Sequence, residues 1–197
     1  AHGIRALARK RFRPRTTVPR PGAAPDLLEG RFAADAPDRV WTADITYIRT
    51  GEGFLYLAGV MDLFSRRIVG WSMAAHLGRT LVIDALTMAV HRRNPAPGLI
   101  HHSDRGSQYA SAEFKSLLAR HAVRPSMSRR GSCYDNAPTE SLWSTLKREL
   151  VHVRKFRTRS EARAAIFEYI EVFYNRRRLH SVLGYLSPEA FEDRART

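Results

Sequence analysis

The chain has 197 residues, 44% of them hydrophobic, which is enough for one domain with a substantial core and too apolar for a generically disordered chain. Its 33 Lys and Arg against 19 Asp and Glu leave a net charge of +14, which favours a polyanionic partner. No apolar run approaches the roughly 20 residues of a membrane span, and the run from Phe54 to Met61 stops at Asp62, so the expected partner is nucleic acid and not a membrane.

Taken in order, residues 1–25 carry seven cations and no acid and end in the Pro-punctuated run RPRTTVPRPGAAP. They read as a basic arm: either an electrostatic tether to phosphates, with Arg9, Lys10 and Arg11 as candidate DNA contacts, or a solvated linker. From Arg39 to Thr50 (RVWTADITYIRT) β-branched and aromatic residues alternate with period two, which predicts a strand. Trp41, Ala43, Ile45 and Tyr47 take one face; Val40, Thr42, Asp44, Thr46 and Ile48 take the other. Gly51-Glu52-Gly53 turns the chain into a second strand over 54–65, and Arg66-Arg67 turns it into a third over 68–75. Short turns of this kind make an antiparallel meander. Asp44 lies in the middle of the first strand, where a carboxylate is costly unless it is hydrogen-bonded, paired or bound to a metal.

Helical spacing over 80–92 predicts a helix covering the sheet, and LIHHSD (99–104) predicts a fourth strand that ends at Asp104 in a Gly-containing loop. His101 and His102, with no Cys/His cluster beside them, read as neutral hydrogen-bonded imidazoles. A second helix follows over 111–122, then a short fifth strand over 123–128, which Pro125 assigns to an edge or bulge. Cys133 is the single cysteine, so a disulfide framework is excluded and a reducing cytoplasm is expected; the N-terminus has no apolar core of a signal peptide.

The stretch Gly131–Val151 (GSCYDNAPTESLWSTLKRELV) reads as a flexible turn, capped by Asp135, that launches a helix with Pro138 in its first turn. At 100° per residue Leu142, Trp143, Leu146 and Leu150 form an apolar stripe. Asn136, Glu140, Ser144 and Lys147 form a neighbouring polar one, with Glu140 and Lys147 nearly eclipsed. Taken alone, such a face also describes solvated residues of spaced opposite charge. A second basic concentration (VRKFRTR) leads to a long helix over 160–178, with Ile166, Ile170 and Phe173 as its spine and Arg176, Arg177 and Arg178 at its end as further candidate DNA contacts. Ser187-Pro188-Glu189 starts a last short helix. The expected divisions are a basic arm or linker over 1–36, a core over 37–152 and a helical extension of the same domain over 153–197.

Three meander strands followed by two strands joined through helices imply one mixed α/β sheet with helices on its faces. In such a sheet Asp44 and Asp104 can lie on adjacent strands, with Glu140 leaning over both. Oxygen-only carboxylates gathered in this way suit Mg²⁺ or Mn²⁺, and a pair of such ions serves in-line phosphoryl displacement.

The segments D-I-T-Y-I around Asp44, H-S-D-R-G-S-Q-Y around Asp104 and G-S-C-Y-D-N-A-P-T-E-S around Glu140 resemble the catalytic core of IS-three family insertion-sequence transposases, within the retroviral-integrase-like DDE superfamily. Thirty-five residues separate Asp104 from Glu140, the family's characteristic spacing. Y-N-x-x-R-x-H-x-x-L-G-x-x-S-P (174–188) and Arg-Pro-Arg-Thr-Thr (13–17) resemble its flanks. The resemblance implies an RNase H-like fold, with Asp44, Asp104 and Glu140 binding two Mg²⁺ or Mn²⁺ ions. Those three acids are implied as the catalytic residues and metal ligands, together with cut-and-join chemistry on transposon ends, a homo-oligomer on double-stranded DNA, and residence with the bacterial nucleoid. Lys147, seven residues after the glutamate, is implied to contact DNA, with Arg148 beside it; Asn136 occupies a motif position that suits capping or a bond to a ligand side chain. An upstream helix-turn-helix region is also implied, of which the chain carries the linker alone. Two other readings keep the same residues: a purely hydrolytic RNase H-like nuclease, and a DNA-binding regulator that has lost its chemistry.

Overall fold

The computed structural model describes residues 24–128 and 137–196. Strands β1 (Val40–Thr50), β2 (Gly53–Asp62) and β3 (Ile68–Ala74) form the expected antiparallel meander. Its first turn uses Gly53 at φ +103°, a conformation open to glycine at no steric cost. Helix α1 (Arg79–Arg93) leads to β4 (Ile100–Ser103), and α2 (Ala112–Arg120) leads to β5 (Arg124–Met127). Both late strands are parallel to β1, giving a mixed five-stranded sheet of order β3-β2-β1-β4-β5. Pro125, which has no N–H to donate, lies on the edge strand.

The alternation of β1 divides the core in two. Trp41 and Ala43 join Val60, Val69, Leu81, Leu86, Phe114 and Leu118 on the face that α1 and α2 cover. Ile48 joins Leu55, Leu57, Met61 and Ile68 on the other face. There they meet Leu142, Trp143 and Leu146 of α3 (Ala137–Leu146) and Ala162 and Ile166 of α4 (Arg159–Glu168). The opposite face of the sheet is thus closed by the helix that carries Glu140.

One helical expectation, the inward place of Phe173, needs correction, and its cause is present in both long helices. Helix α3 runs into a π-helical turn at Lys147–Val151 and α4 into another at Tyr169–Tyr174. The His152 N–H donates to the Lys147 carbonyl at 2.8 Å, and the Asn175 N–H to Ile170 at 3.1 Å, five residues back in each case. The wider turn rotates later residues out of a 3.6-residue period. Leu150 still packs, half-buried, against the core with Leu142, Trp143 and Leu146, whereas Phe173 is 41% exposed while Tyr174, at 2%, takes the inward place. Helix α4 starts one residue before the expected 160: Thr158 caps it, accepting from the Glu161 N–H at 3.1 Å.

Several polar contacts fasten the C-terminal segment to the sheet. The Asn175 side chain accepts from the Ile68 N–H at 2.9 Å and donates to its carbonyl at 3.0 Å, so it pairs with β3 as a neighbouring strand would. Helix α5 (Pro188–Ala195) buries Glu192 completely against Ser65, Arg67 and Arg93. The Gly51 N–H donates to the Phe156 carbonyl at 3.0 Å, which holds the segment after α3 against the β1–β2 turn. At the other end, within the expected 1–36 arm, the Pro25 carbonyl accepts from Met127 and Leu28 is buried beside Val40 and Leu63. Among the described residues no helix is long and apolar enough to cross a membrane.

Candidate active site

Strands β1 and β4 run parallel in a register that ends with Ala43 opposite Ser103. Asp44 and Asp104 are the next residue on each side, so the ladder sets both carboxylates at one level where β4 gives way to its loop. The loop then turns tightly, with the Gly106 N–H donating to Asp104 Oδ1 at 2.9 Å. Asp44 accepts from the Ile45 N–H at 2.7 Å on Oδ1 and from the Trp143 indole N–H at 3.1 Å on Oδ2.

The indole reaches Asp44 because β2 leaves room for it. Gly59 pairs with Asp44 across the β1–β2 ladder, and a Cβ there would sit 2.7 Å from Trp143 Cη2. A missing side chain on β2 therefore lets α3 settle onto the strand that carries Asp44. Trp143, read from the sequence as part of an apolar stripe, is buried as expected and also supplies this polar tie between α3 and β1.

The electrostatics follow from this crowding. Burial, then the charge of Asp104, and more weakly that of Glu140, push Asp44 from 3.8 up to about 7, against the bonds from Ile45 and Trp143. Glu140 stands exposed in the first turn of α3 and so acts on Asp44 through its field. Among the described residues no three His, Cys, Asp or Glu side chains converge into a ready metal cluster. Asp44 and Asp104 nevertheless fit a hard divalent cation: both offer carboxylate oxygens, and they repel each other in a way that a shared positive charge relieves.

Lys147 lies near the same centre. Its Nζ is 5.1 Å from the centroid of the Tyr47 ring; burial lowers its proton affinity and the charge of Asp44 raises it. It also lines a cleft of about 640 Å³ with Arg49, His152, Arg154, Lys155 and Phe156. None of the described residues lining that cleft is acidic. Arg154 and Lys155 fall in the basic concentration VRKFRTR without having been named as DNA contacts, and Arg49 was not singled out, because the cleft exists only where the Gly51–Phe156 contact brings residues about a hundred positions apart together. Arg148 lines a second cleft, of about 540 Å³, on the other side of α3, with Arg66, Arg178, Tyr174 and His180.

The remaining candidates are dispersed. Arg178 is committed to Glu149, with Nη2 and Nε at 2.8 and 3.0 Å. Arg176 is exposed, 3.6 Å from Glu189, and Arg177 is exposed beside it. Arg9, Lys10, Arg11 and Asn136, and the Gly131-Ser132 turn expected to launch α3, lie outside the described residues. His102 is hydrogen-bonded as expected, Nδ1 to Ser126 at 2.8 Å. His101 departs from that expectation: burial lowers it to about 3, so it is neutral, but its Nε2 has no hydrogen-bond partner among the described residues. Its ring packs instead against Tyr109 and Phe114.

The integrase core domain family matches the chain over residues 34–133 and again over 140–195. A transposase for insertion sequence element IS904 of Lactococcus lactis is 51% identical over 168 residues, covering 85% of this chain and 66% of the relative. Transposase InsF for insertion sequence IS3A of Escherichia coli K12 is 48% identical over 195 residues, covering 98% of this chain and 67% of the relative. The chain thus spans about two thirds of the length of the curated relatives it matches. Among solved structures, the HTLV-2 integrase catalytic core domain in complex with magnesium is similar with a TM-score of 0.57 at 15% identity, over 80% of this chain and 97% of that one. That likeness concerns the fold, which is RNase H-like and of the retroviral integrase core type. With two family matches covering most of its length and near-half identity to InsF across almost all of it, the chain belongs to the integrase core domain family, among the insertion-sequence transposases of the IS3 group.

Proposed function

We propose that this chain is the catalytic part of a transposase that cleaves DNA at insertion-sequence ends and joins the freed end to a target. The observation that carries this reading is the β1–β4 register, whose last pair, Ala43 and Ser103, immediately precedes Asp44 and Asp104, together with the Trp143 bond that ties Glu140's helix to Asp44. Relatives named as transposases support it.

In this reading Asp44, Asp104 and Glu140 hold Mg²⁺ or Mn²⁺, two ions in all. When bound, such ions activate an attacking oxygen and stabilise a leaving one in phosphodiester displacement. Trp143 keeps Asp44 oriented while Glu140 draws in from the first turn of α3. Water is the first attacking group and frees a 3′-OH; that 3′-OH is the second, at a phosphodiester of the target. Lys147 places the terminal nucleotides, and the cleft it shares with Arg49, Arg154 and Lys155 takes the phosphate backbone. Arg148, Arg176 and Arg177 contact DNA outside that cleft, and Arg9, Lys10 and Arg11 are further candidate DNA contacts. Arg178 orients its neighbours through Glu149. The segments 1–36, 37–152 and 153–197 serve as arm, core and helical extension, and the protein works on nucleoid DNA as a homo-oligomer.

The test is incubation of the full chain with Mn²⁺ and duplex oligonucleotides carrying the element's ends. Wild type should give joined products; Asp104→Asn and Glu140→Gln should give none while still binding DNA. Cleavage without joining would favour the hydrolytic nuclease, and joining by either variant would refute that residue's role.

A further inference from the structure

Tyr109 lies in the loop that runs from Asp104 to the N-cap Ser111, and backbone bonds link it to Asp104. The Tyr109 N–H donates to the Gly106 carbonyl at 3.1 Å, while the Gly106 N–H holds Asp104 Oδ1. The tyrosine is 2% exposed, and its ring is fixed edge-on against Phe114 at 5.4 Å and tilted against His101 at 6.1 Å. A phenol buried this deeply ordinarily finds an acceptor, because an unmade hydrogen bond in the interior is unfavourable. The Tyr109 hydroxyl has none among the described residues. Packing alone would be served as well by phenylalanine, so the hydroxyl needs another explanation.

Its surroundings supply one. Burial, and then the charges of Asp44 and Asp104, raise its proton affinity well above the usual 10, so it remains a donor. The neighbouring His101 is neutral and makes no bond to it. The charges that act on the phenol are those of the two aspartates that follow the last pair of the parallel ladder.

We propose that Tyr109 is a positioning residue for the metal-binding carboxylates: its hydroxyl donates to the Asp44–Asp104 pair when a divalent cation draws the two together. The rigid ring makes the donor stationary, so it favours one carboxylate orientation over others, as partners behind metal ligands do elsewhere. In the metal-free fold the same hydroxyl is an unsatisfied polar group. This gives opposite signs to its effect with and without metal, and it rests on the reading of Asp44 and Asp104 as metal ligands.

The experiment compares wild type, Tyr109→Phe and Asp104→Asn as full chains. Mn²⁺ affinity is measured by electron paramagnetic resonance, and melting temperature is measured in chelator. Tyr109→Phe should bind Mn²⁺ about 10-fold or more weakly than wild type. In chelator it should melt at the wild-type temperature or above, since the orphan hydroxyl is gone. Asp104→Asn should lose tight binding. Wild-type Mn²⁺ affinity in Tyr109→Phe would overturn the positioning role and make the residue a packing element. Wild-type affinity in Asp104→Asn would instead overturn the metal site itself, so the two failures are distinguishable.

Discussion

Replacing Asp44 by Asn in the metal-free protein should stabilise it at pH 8 and not at pH 4. Burial and the charge of Asp104 move Asp44 from 3.8 up to about 7. The folded protein therefore holds this proton to higher pH than the unfolded chain does. Across roughly pH 4 to 7 unfolding releases it, and stability falls as pH rises through that window. Above it, a difference of about three pH units at about 1.4 kcal/mol each makes the buried charge cost about 4 kcal/mol. Asn keeps one carbonyl oxygen for either the Ile45 or the Trp143 donor, so one hydrogen bond is lost at about 1 kcal/mol. The net gain is about 3 kcal/mol at pH 8, or roughly 6–12 °C in melting temperature for a domain of this size. At pH 4 the charge penalty is nearly gone, and the lost bond should leave the variant about 1 kcal/mol less stable. Urea unfolding in chelator at pH 4, 6 and 8 measures this directly. A stability difference that does not vary with pH would refute the claim that Asp44 is a crowded, penalised carboxylate.

Other consequences follow from particular contacts. Gly59→Ala places a methyl against Trp143 and should cost about 1–3 kcal/mol, with loss of the indole bond to Asp44 read as a shift in tryptophan emission. Glu192→Gln should cost about 3–5 kcal/mol in urea unfolding, because Arg93 and Arg67 lose their buried partner. Burial works to raise the Glu192 carboxyl, but bonds from Arg93 and Ser65 hold it below its usual 4.5. Its contribution is therefore present above pH 4.5 and lost as the medium is acidified further, and the glutamine variant should lack that part of the acid sensitivity. Arg49→Ala and Lys155→Ala should each flatten the plot of log DNA affinity against log salt by about 0.9, the value for one phosphate; unchanged slopes would take that cleft out of the DNA surface.

The sheet was legible because its signals are local. Alternation in 39–50, tight turns at 51–53 and 66–67, and helices between later strands leave few topologies, and the parallel register then follows from right-handed crossovers. The juxtaposition of Asp44 and Asp104 was legible for the same reason. Phe173 was misplaced because counting at 3.6 residues per turn cannot foresee a π-helical turn, which depends on how Tyr174 packs against the sheet. The Gly59–Trp143–Asp44 arrangement was hidden because a strand glycine acquires meaning only when the helix above it is known. Tyr109 stood in a motif, but burial without a hydrogen-bond partner is a property of the folded chain. The buried Glu192 network joins residues some 125 positions apart and leaves no trace in either local sequence.

The central claim is that three acids, two of them just past the last β1–β4 pair and the third on a helix tied to Asp44, hold the metal beside bound DNA. Anomalous scattering from crystals of the full chain grown with Mn²⁺ and a duplex bearing the element's end tests this most directly. The expected result is manganese between Asp44 and Asp104, with Glu140 drawn onto it and phosphates along the Arg49–Lys147–Lys155 cleft. Manganese bound away from Asp44 and Asp104, or Glu140 turned away from an occupied site with DNA in place, would contradict the account.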